Sequence, residues 1–436
     1  MPEPATDPAA PRPSPGEALL FWLKLGCINF GGPAGQIALM QHELVDRRGW
    51  IDQRRFLHGL NFCMLLPGPE AQQLATYVGW RLHGVTGGLA AGLLFILPGA
   101  LAMLGLSWLA AAHGGLDWVA ALFHGVKPVV LAIIAAAVWR IGRRTLNGWP
   151  ALALAAAAFI GLYFLGIPFP AIVAGAALVG IATARAGHDV FAPAGHGPAD
   201  DAPVAEAARP PGVGRVLALL ALFLVLWAVP VLGVLALLGE EPFRDVASLF
   251  TKAAFVTFGG AYAVLPYIAD AAVNRYGWLS PADMVNGLAL AESTPGPLIL
   301  VTQFVGFFAG WNQPGALPPF LAGAVASVLT LHVTFLPCFL FIFLGAPYIE
   351  GLIHNRTAAA ALAAVTAAVV GVILNLGVFL GTHVLVPRPG EVDWFAVVLA
   401  LAGLAALLRL KLAVHWLVLA GALAGLGWWW AGFQGA

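Results

Sequence analysis

The chain is 436 residues long, 60% hydrophobic and 10% charged, with a mean hydropathy of +0.87 and no formal net charge, Lys+Arg 21 against Asp+Glu 21. An ordinary soluble domain carries roughly 25% charged residues, so this composition leaves no room for a soluble catalytic domain. It indicates an all-α polytopic membrane protein, because apolar runs of the roughly 17–25 residues that cross a ~30 Å hydrocarbon layer recur along nearly the whole chain.

Residues 1–16, "MPEPATDPAAPRPSPG", are Pro-rich, contain Glu3 and Asp7, and lack the basic region of a secretory signal peptide. A disordered tail is expected there. Hydropathy then places thirteen spans, near 17–40, 56–80, 84–112, 119–140, 149–165, 168–184, 215–238, 246–270, 284–311, 316–345, 357–385, 393–408 and 411–433. The pair at 149–184, split by "GIPFP", also reads as one long tilted or broken helix. One long polar linker, 185–214, rich in Ala, Pro, Gly and Asp, separates an N-terminal repeat (17–184) from a connecting helix (215–238) and a C-terminal repeat (246–433). His188 and His196 in that linker read as solvated.

The division into repeats rests on self-similarity. An offset of 228 residues superimposes Lys24 on Lys252, Phe30-Gly31-Gly32 on Phe258-Gly259-Gly260, Gly49-Trp50 on Gly277-Trp278, and Pro67-Gly68-Pro69 on Pro295-Gly296-Pro297. After an insertion around "NQPGALPP", Leu97-Pro98 falls on Leu336-Pro337. With six spans per half and one connector the halves are separated by an odd number of crossings, so they are expected to be inverted, a common plan of secondary transporters. Counting Lys and Arg outside the spans gives twelve on the N-terminal side against six on the other, which places the N-terminus in the cytoplasm. The loop "ELVDRRGWIDQRRF" is the exception, with four arginines on the wrong side. A re-entrant 56–80 would move it inside and would make the repeats parallel.

Lys24, Lys127 and Lys252 are the basic residues inside predicted spans. An ammonium at a helix centre costs about 2.5 kcal/mol or more and usually faces protein or a water-filled cavity. Lys24 and Lys252 share the same Lys-x5-Phe-Gly-Gly spacing, which suggests countercharge for an anion; the alternative is snorkelling to an interface. Lys127, beside Pro128, has no detected counterpart and reads as snorkelling or as a loop residue. The Phe-Gly-Gly and Pro-Gly-Pro motifs open helices and free backbone donors, which survives in a membrane only where the backbone is buried in protein or lines a polar cavity. A helix restarting after such a break presents N–H groups and a positive dipole end to an anion.

Substrate-binding candidates are therefore Lys24, Phe30, Gly31, Gly32, Gly68, Gln72, Lys252, Phe258, Gly259, Gly260, Thr294, Gly296 and Gln303. Glu70 and Glu292 flank the two Pro-Gly-Pro breaks and are candidates for proton coupling, or for buried pairing with Lys24 or Lys252. Cys27, Cys63 and Cys338 read as small buried hydrophobes, and neither a nucleophile with a base, a zinc-type cluster nor a phosphate loop is present in the sequence. "GVTGGLAAG", residues 84–92, is packing glycine. His332 is the one histidine in a span that invites a test.

The stretches "FGGPAGQIALMQHELVDRRGWID", "LLPGPEAQQLATYVGW", "GGLAAGLLFILPG", "TKAAFVTFGGAYAVLPYI" and "ESTPGPLILVTQFVGFFAG" resemble the chromate ion transporter (CHR) family, long two-domain type, over roughly residues 17–433. The resemblance implies a bacterial inner-membrane protein that exports chromate and gives chromate resistance, with sulfate as the similar dianion, and two homologous domains in opposite orientation. The family often has a His a few residues after the first Phe-Gly-Gly-Pro; this chain has Gly35 and Gln36.

The expectation is a secondary active transporter, not an enzyme, that holds a tetrahedral oxyanion between the broken helices of both halves. Expected partners are chromate or sulfate, protons or a counter-anion, and the lipid bilayer; no cofactor, metal or nucleic acid is expected, and a homodimer is left open. The alternatives are a sulfate or general oxyanion importer or exchanger and, more remotely, a membrane enzyme acting on a lipid phosphate.

Overall fold

The computed structural model describes residues 13–30, 32–188, 190–191, 212–346, 355–388 and 390–432. The expected tail and linker lie largely outside the described residues. Among those described the chain is all-helical, and its helices run in two parallel lists. In the N-terminal half they are α1 (Pro15–Ile28), α2 (Gly32–Gln41, continued by a π turn His42–Arg47), α3 (Gln53–Leu65), α4 (Glu70–His113), α5 (Asp117–Thr145), α6 (Trp149–Tyr163) and α7 (Phe169–Arg185). Then α8 (Val213–Leu238) stands between the halves.

The C-terminal half repeats the order: α9 (Phe243–Val256), α10 (Ala261–Asp270, continued by a π turn Ala271–Arg275), α11 (Pro281–Ser293), α12 (Val301–Asn312, preceded by a 3-10 turn Leu298–Leu300), α13 (Pro319–Gly345), α14 (Arg356–Leu385), α15 (Trp394–Ala405) and α16 (Val414–Trp430). The caps repeat as well. Asp52 accepts from Arg55 N–H at the start of α3, and its counterpart Ser280 accepts from Asp283 N–H at the start of α11.

Among the described residues, five helices are long and apolar enough to cross a membrane: α4, α5, α8, α13 and α14. The expected spans 17–40 and 56–80 are not single crossings. After α2 the chain comes back to the start of α1, where Arg48 ion-pairs with Glu17 (3.6 Å) and lies 4.8 Å over the Phe21 ring. The second hairpin is built from α3 and the first part of α4, with Gly59 packed on the Tyr77 ring and Phe62 6.4 Å from it. At His83 (φ −138°) and Gly84 (φ 62°, ψ −153°) the backbone of α4 is not helical, and the chain reverses. Gly79 abuts Ala91, and His83 Nε2 lies 3.0 Å from Pro13 O. Residues 70–82 therefore form the returning arm of a hairpin, and 85–113 the long helix. A hydropathy window sums the two short arms as one segment, and only the paired ends reveal the return.

The two halves interlock. Residues 85–113 lie antiparallel to their counterpart α13, with Gly88 against Phe343, Gly92 against Phe339 and Trp108 6.1 Å from Phe320. The pair α5 and α14 is also antiparallel: Gly142 meets Val370 and Leu131 meets Gly381. These two contacts are the same contact seen from either half, which fixes the offset beyond the insertion at 239. Each of these helices carries the last pair of the other half, so that α15 and α16 pack on α5, and α6 and α7 on α14. Glycines allow the close approach, with Gly125 against Gly421 and Gly425, and Gly371 against Ala155. His124 on α5 bonds Asp393, the N-cap of α15, at 2.7 Å.

The hairpin ends are polar. Arg47 and Arg48 bond Glu43 at 3.0 and 3.4 Å. Burial acts to raise the Glu43 carboxyl, but the bonds and charges of the two arginines outweigh it and hold it below its usual range.

Candidate functional site

The site is built where hairpin tips from opposite halves meet. Helix α1 stops at Ile28 and α2 starts at Gly32; α9 stops at Val256 and α10 starts after Gly260. The Pro-Gly-Pro segments interrupt α3 and α4, and α11 and α12, in the same way. The tips exchange one backbone bond each. Gly68 N–H donates to Thr257 C=O (2.7 Å), and Gly296 N–H donates to Asn29 C=O (3.4 Å). Gly68 and Gly296 are repeat counterparts, and so are Thr257 and Asn29.

Both central glycines sit at positive φ, 126° and 109°. A side chain there would be strained, and it would also meet Cys338 Sγ and Gln73 at 2.9 Å in one case and Leu300 Cδ1 at 2.7 Å in the other. The result is two pairs of helix starts, α4 with α10 and α2 with the 3-10 turn leading into α12. Each start contributes N–H groups without intrahelical partners and about half a positive charge.

The two carboxylates flanking the Pro-Gly-Pro breaks both reach the first turn of α10. Glu70, half-buried at the N-terminus of α4, has Oε1 3.9 Å from where a Cβ on Gly260 would sit. Glu292 is buried and accepts a hydrogen bond from the Tyr262 hydroxyl. The guanidinium of Arg140, on α5, is the basic group whose field reaches both Glu292 and Tyr262. Neither residue was singled out from the sequence. Arg140 fell at the edge of a predicted span, and Tyr262 has Ala34 as its counterpart, so the repeat gave no signal for it. Gly259 completes this wall, 3.8 Å from Thr366 and Val369 of α14 by the same Cβ measure.

The other pair of tips is held by Gln36, a residue noted from the sequence only as a departure from a family pattern. Its Nε2 donates to Asn29 C=O (2.9 Å) and to Gly296 C=O (2.6 Å), and Asn29 Nδ2 donates to Phe95 C=O (3.4 Å). Gln36 thus staples the first Phe-Gly-Gly break to the second Pro-Gly-Pro break.

The remaining expected residues divide clearly. Gly32, Gly68, Phe258, Gly259, Gly260, Thr294 and Gly296 lie at the breaks, and Phe30 lies there too, its ring 5.8 Å from that of His415. Gly31 is outside the described residues. Gln72 and Gln303 are buried and bonded within the protein, Gln72 to Thr76 Oγ1 (3.0 Å) and Gln303 to Ala100 C=O (2.9 Å), though the Oε1 atom of each has no partner. Lys24 and Lys252 are exposed, Lys24 on a face with Leu20 and Leu23, and the structure does not bring either to the breaks. His332 meets Leu226 C=O of α8 instead (2.9 Å). Cys63 and Cys338 are buried as expected, whereas Cys27 is exposed. Among the described residues no group of three or more His, Cys, Asp and Glu is placed to hold a metal ion.

Chemically, this is a membrane-embedded centre rich in backbone donors, with one nearby guanidinium and two carboxyls that can exchange protons. The family model described as "Chromate transporter" matches residues 16–181 and 244–426, two stretches whose starts are separated by the same 228 residues as the motifs. The chain is 34% identical over 383 residues to a chromate transport protein of Pseudomonas aeruginosa, covering 85% of this chain and 82% of that one. It is 30% identical to a probable chromate transport protein of Synechococcus elongatus (85% of each chain), and 28% identical to a chromate transport protein of Cupriavidus metallidurans (95% and 92%). No solved structure matches.

Proposed function

The chain belongs to the chromate transporter family, and from that premise we propose that it is a secondary active transporter that exports chromate across the bacterial inner membrane and so gives chromate resistance. The observation that carries this reading is the reciprocal meeting of hairpin tips, Gly68 with Thr257 and Gly296 with Asn29. It sets helix N-termini in facing pairs inside a multi-pass membrane protein, an arrangement suited to a small dianion that must be held without a permanent cage of charge.

The halves act as inverted repeats. Two expected crossings become re-entrant hairpins in each half, and because both change together the odd number of crossings between halves is kept. That arrangement also accounts for the arginine-rich loop. Arg47, Arg48, Arg54 and Arg55 move to the N-terminal side and Arg275 moves to the other, so twelve against six becomes fifteen against three, with the N-terminus in the cytoplasm.

Arg140 and the helix starts of α4 and α10 attract the oxyanion. Glu70 and Glu292 oppose it when ionised, so protonation of these carboxyls and occupancy by the anion favour each other; a proton carried with the anion is drawn inward by a proton gradient, so the outward drive comes from the inside-negative membrane potential acting on the dianion. Chromate enters from the cytoplasm, where α2 and α3 present exposed residues such as Ala38, Asn61 and Met64. The test is chromate accumulation in a chromate-sensitive cell expressing the chain. Lower internal chromate than in the control supports export, whereas higher internal chromate would make the protein an importer, with sulfate the first competing substrate to try.

A further inference from the structure

Lys127 is an ionisable group within a long span that the reading above leaves unused. It lies ten residues into α5, roughly 15 Å from the start of that helix, and is half-buried. Asp283 on α11 exerts a field on it, but no hydrogen bond or ion pair among the described residues reaches its ammonium. A span lysine this far from either end, with no bonded partner, needs a polar occupant in some state of the protein.

The repeat identifies that occupant's place. By the offset that the reciprocal contacts Gly142–Val370 and Leu131–Gly381 fix, Lys127 is the counterpart of Thr366. Thr366, with Val369, is the part of α14 against the second Phe-Gly-Gly break, at Gly259, and is the polar one of the two. The corresponding partner of Lys127 is the first Phe-Gly-Gly break, at the start of α2. Here the halves differ. Helix α10 packs on α14 and buries Ala261, Ala263, Val264, Leu265, Pro266, Ile268 and Ala269, whereas α2 buries only Gln36 and Met40 and is not docked on α5 in the same way.

We propose that Lys127 is an oxyanion-binding residue of the opposite-facing state, in which α2 docks on α5 as α10 docks on α14 here. This rests on the transporter reading. In that state the anion is held between the Lys127 ammonium and the N–H groups at the start of α2. Arg140 serves the α10 side in the present state, so the cationic anchor changes when access changes.

Purified protein in liposomes tests the idea. Wild-type chromate flux comes first, since its absence would defeat the transporter reading rather than this one. With that flux in hand, Lys127→Gln should lower it about tenfold or more, as expected for a lost charged hydrogen bond, and Lys127→Arg should retain most of it, at unchanged melting temperature. A second readout does not depend on that variant folding. Spin labels at Ala38→Cys on α2 and Arg144→Cys on α5, with exposed Cys27 replaced by Ser, should show a second, shorter distance population in protein that keeps Lys127. Chromate should enrich it, and Lys127→Gln should abolish the enrichment. Flux of Lys127→Gln within about twofold of wild type, or a single unchanging distance, would overturn the proposal.

Discussion

Helices α2 and α10 hold the same place in two halves of one sequence, yet one is only partly buried and the other is packed. The difference begins in composition. Helix α10 reads "AYAVLPYIAD", with Val264, Leu265 and Ile268 to bury, while α2 reads "GPAGQIALMQ", with Ala34, Gly35 and Ala38 exposed. Their neighbours follow suit. Helix α11 packs on α5, α12, α14 and α16, but α3 packs mainly on residues of α4. In the proposed transporter such a pair would serve alternating access, since closing one side while opening the other exchanges the roles of the repeats.

The largest expected effect comes from breaking what the halves still share. Gly68→Val and Gly296→Val each place a branched side chain at positive φ and against Cys338 or Leu300. Each should cost at least about 2 kcal/mol and remove most folded protein in a detergent melting assay. Sensitivity at only one of the two positions would break the equivalence of the tips. Next is Arg140→Gln, which should weaken chromate binding about tenfold or more by loss of a charged partner, with Arg140→Lys recovering part of it. Ligand-induced melting shifts measure both, and an unchanged shift would remove Arg140 from the site.

Smaller effects sharpen the contrast. Tyr262→Phe leaves Glu292 without its donor and should slow flux about fivefold, close to 1 kcal/mol; the counterpart position, Ala34, has no such group to lose. Replacing Lys24 and Lys252 together with Gln separates two accounts. As countercharge they would carry flux as Arg140 does, but their exposure predicts a change within about twofold. The smallest effect is acidic. Because Glu43 is held below its ordinary value of 4.5, its pairing with Arg47 and Arg48 contributes fully above that value and is lost as pH falls through the lowered one. Proteolysis of the 41–52 turn should therefore quicken at acid pH in wild type and be faster already at neutral pH in Arg48→Gln.

Much of this was legible in the residues. The repeat offset and the motifs at which the helices stop were visible because each motif occurs twice, and because Phe-Gly-Gly and Pro-Gly-Pro dictate local backbone whatever surrounds them. What was not legible is whatever depends on which end of an apolar segment pairs with which. Hydropathy does not tell a crossing from a short hairpin of similar length, so residues 17–40 and 56–80 read as spans until Arg48 is seen beside Glu17 and His83 beside Pro13. Gln36 and Tyr262 were hidden for another reason. Each acts in one half only, and a search tuned to symmetry passes over the residues that make the halves differ.

The most direct test of the central claim is chromate flux into liposomes holding the purified chain alone. The account predicts saturable flux that sulfate competes with, that an imposed proton gradient accelerates, and that Glu292→Gln uncouples from that gradient. A rate no greater than that of protein-free liposomes, under gradients of either sign, would contradict it.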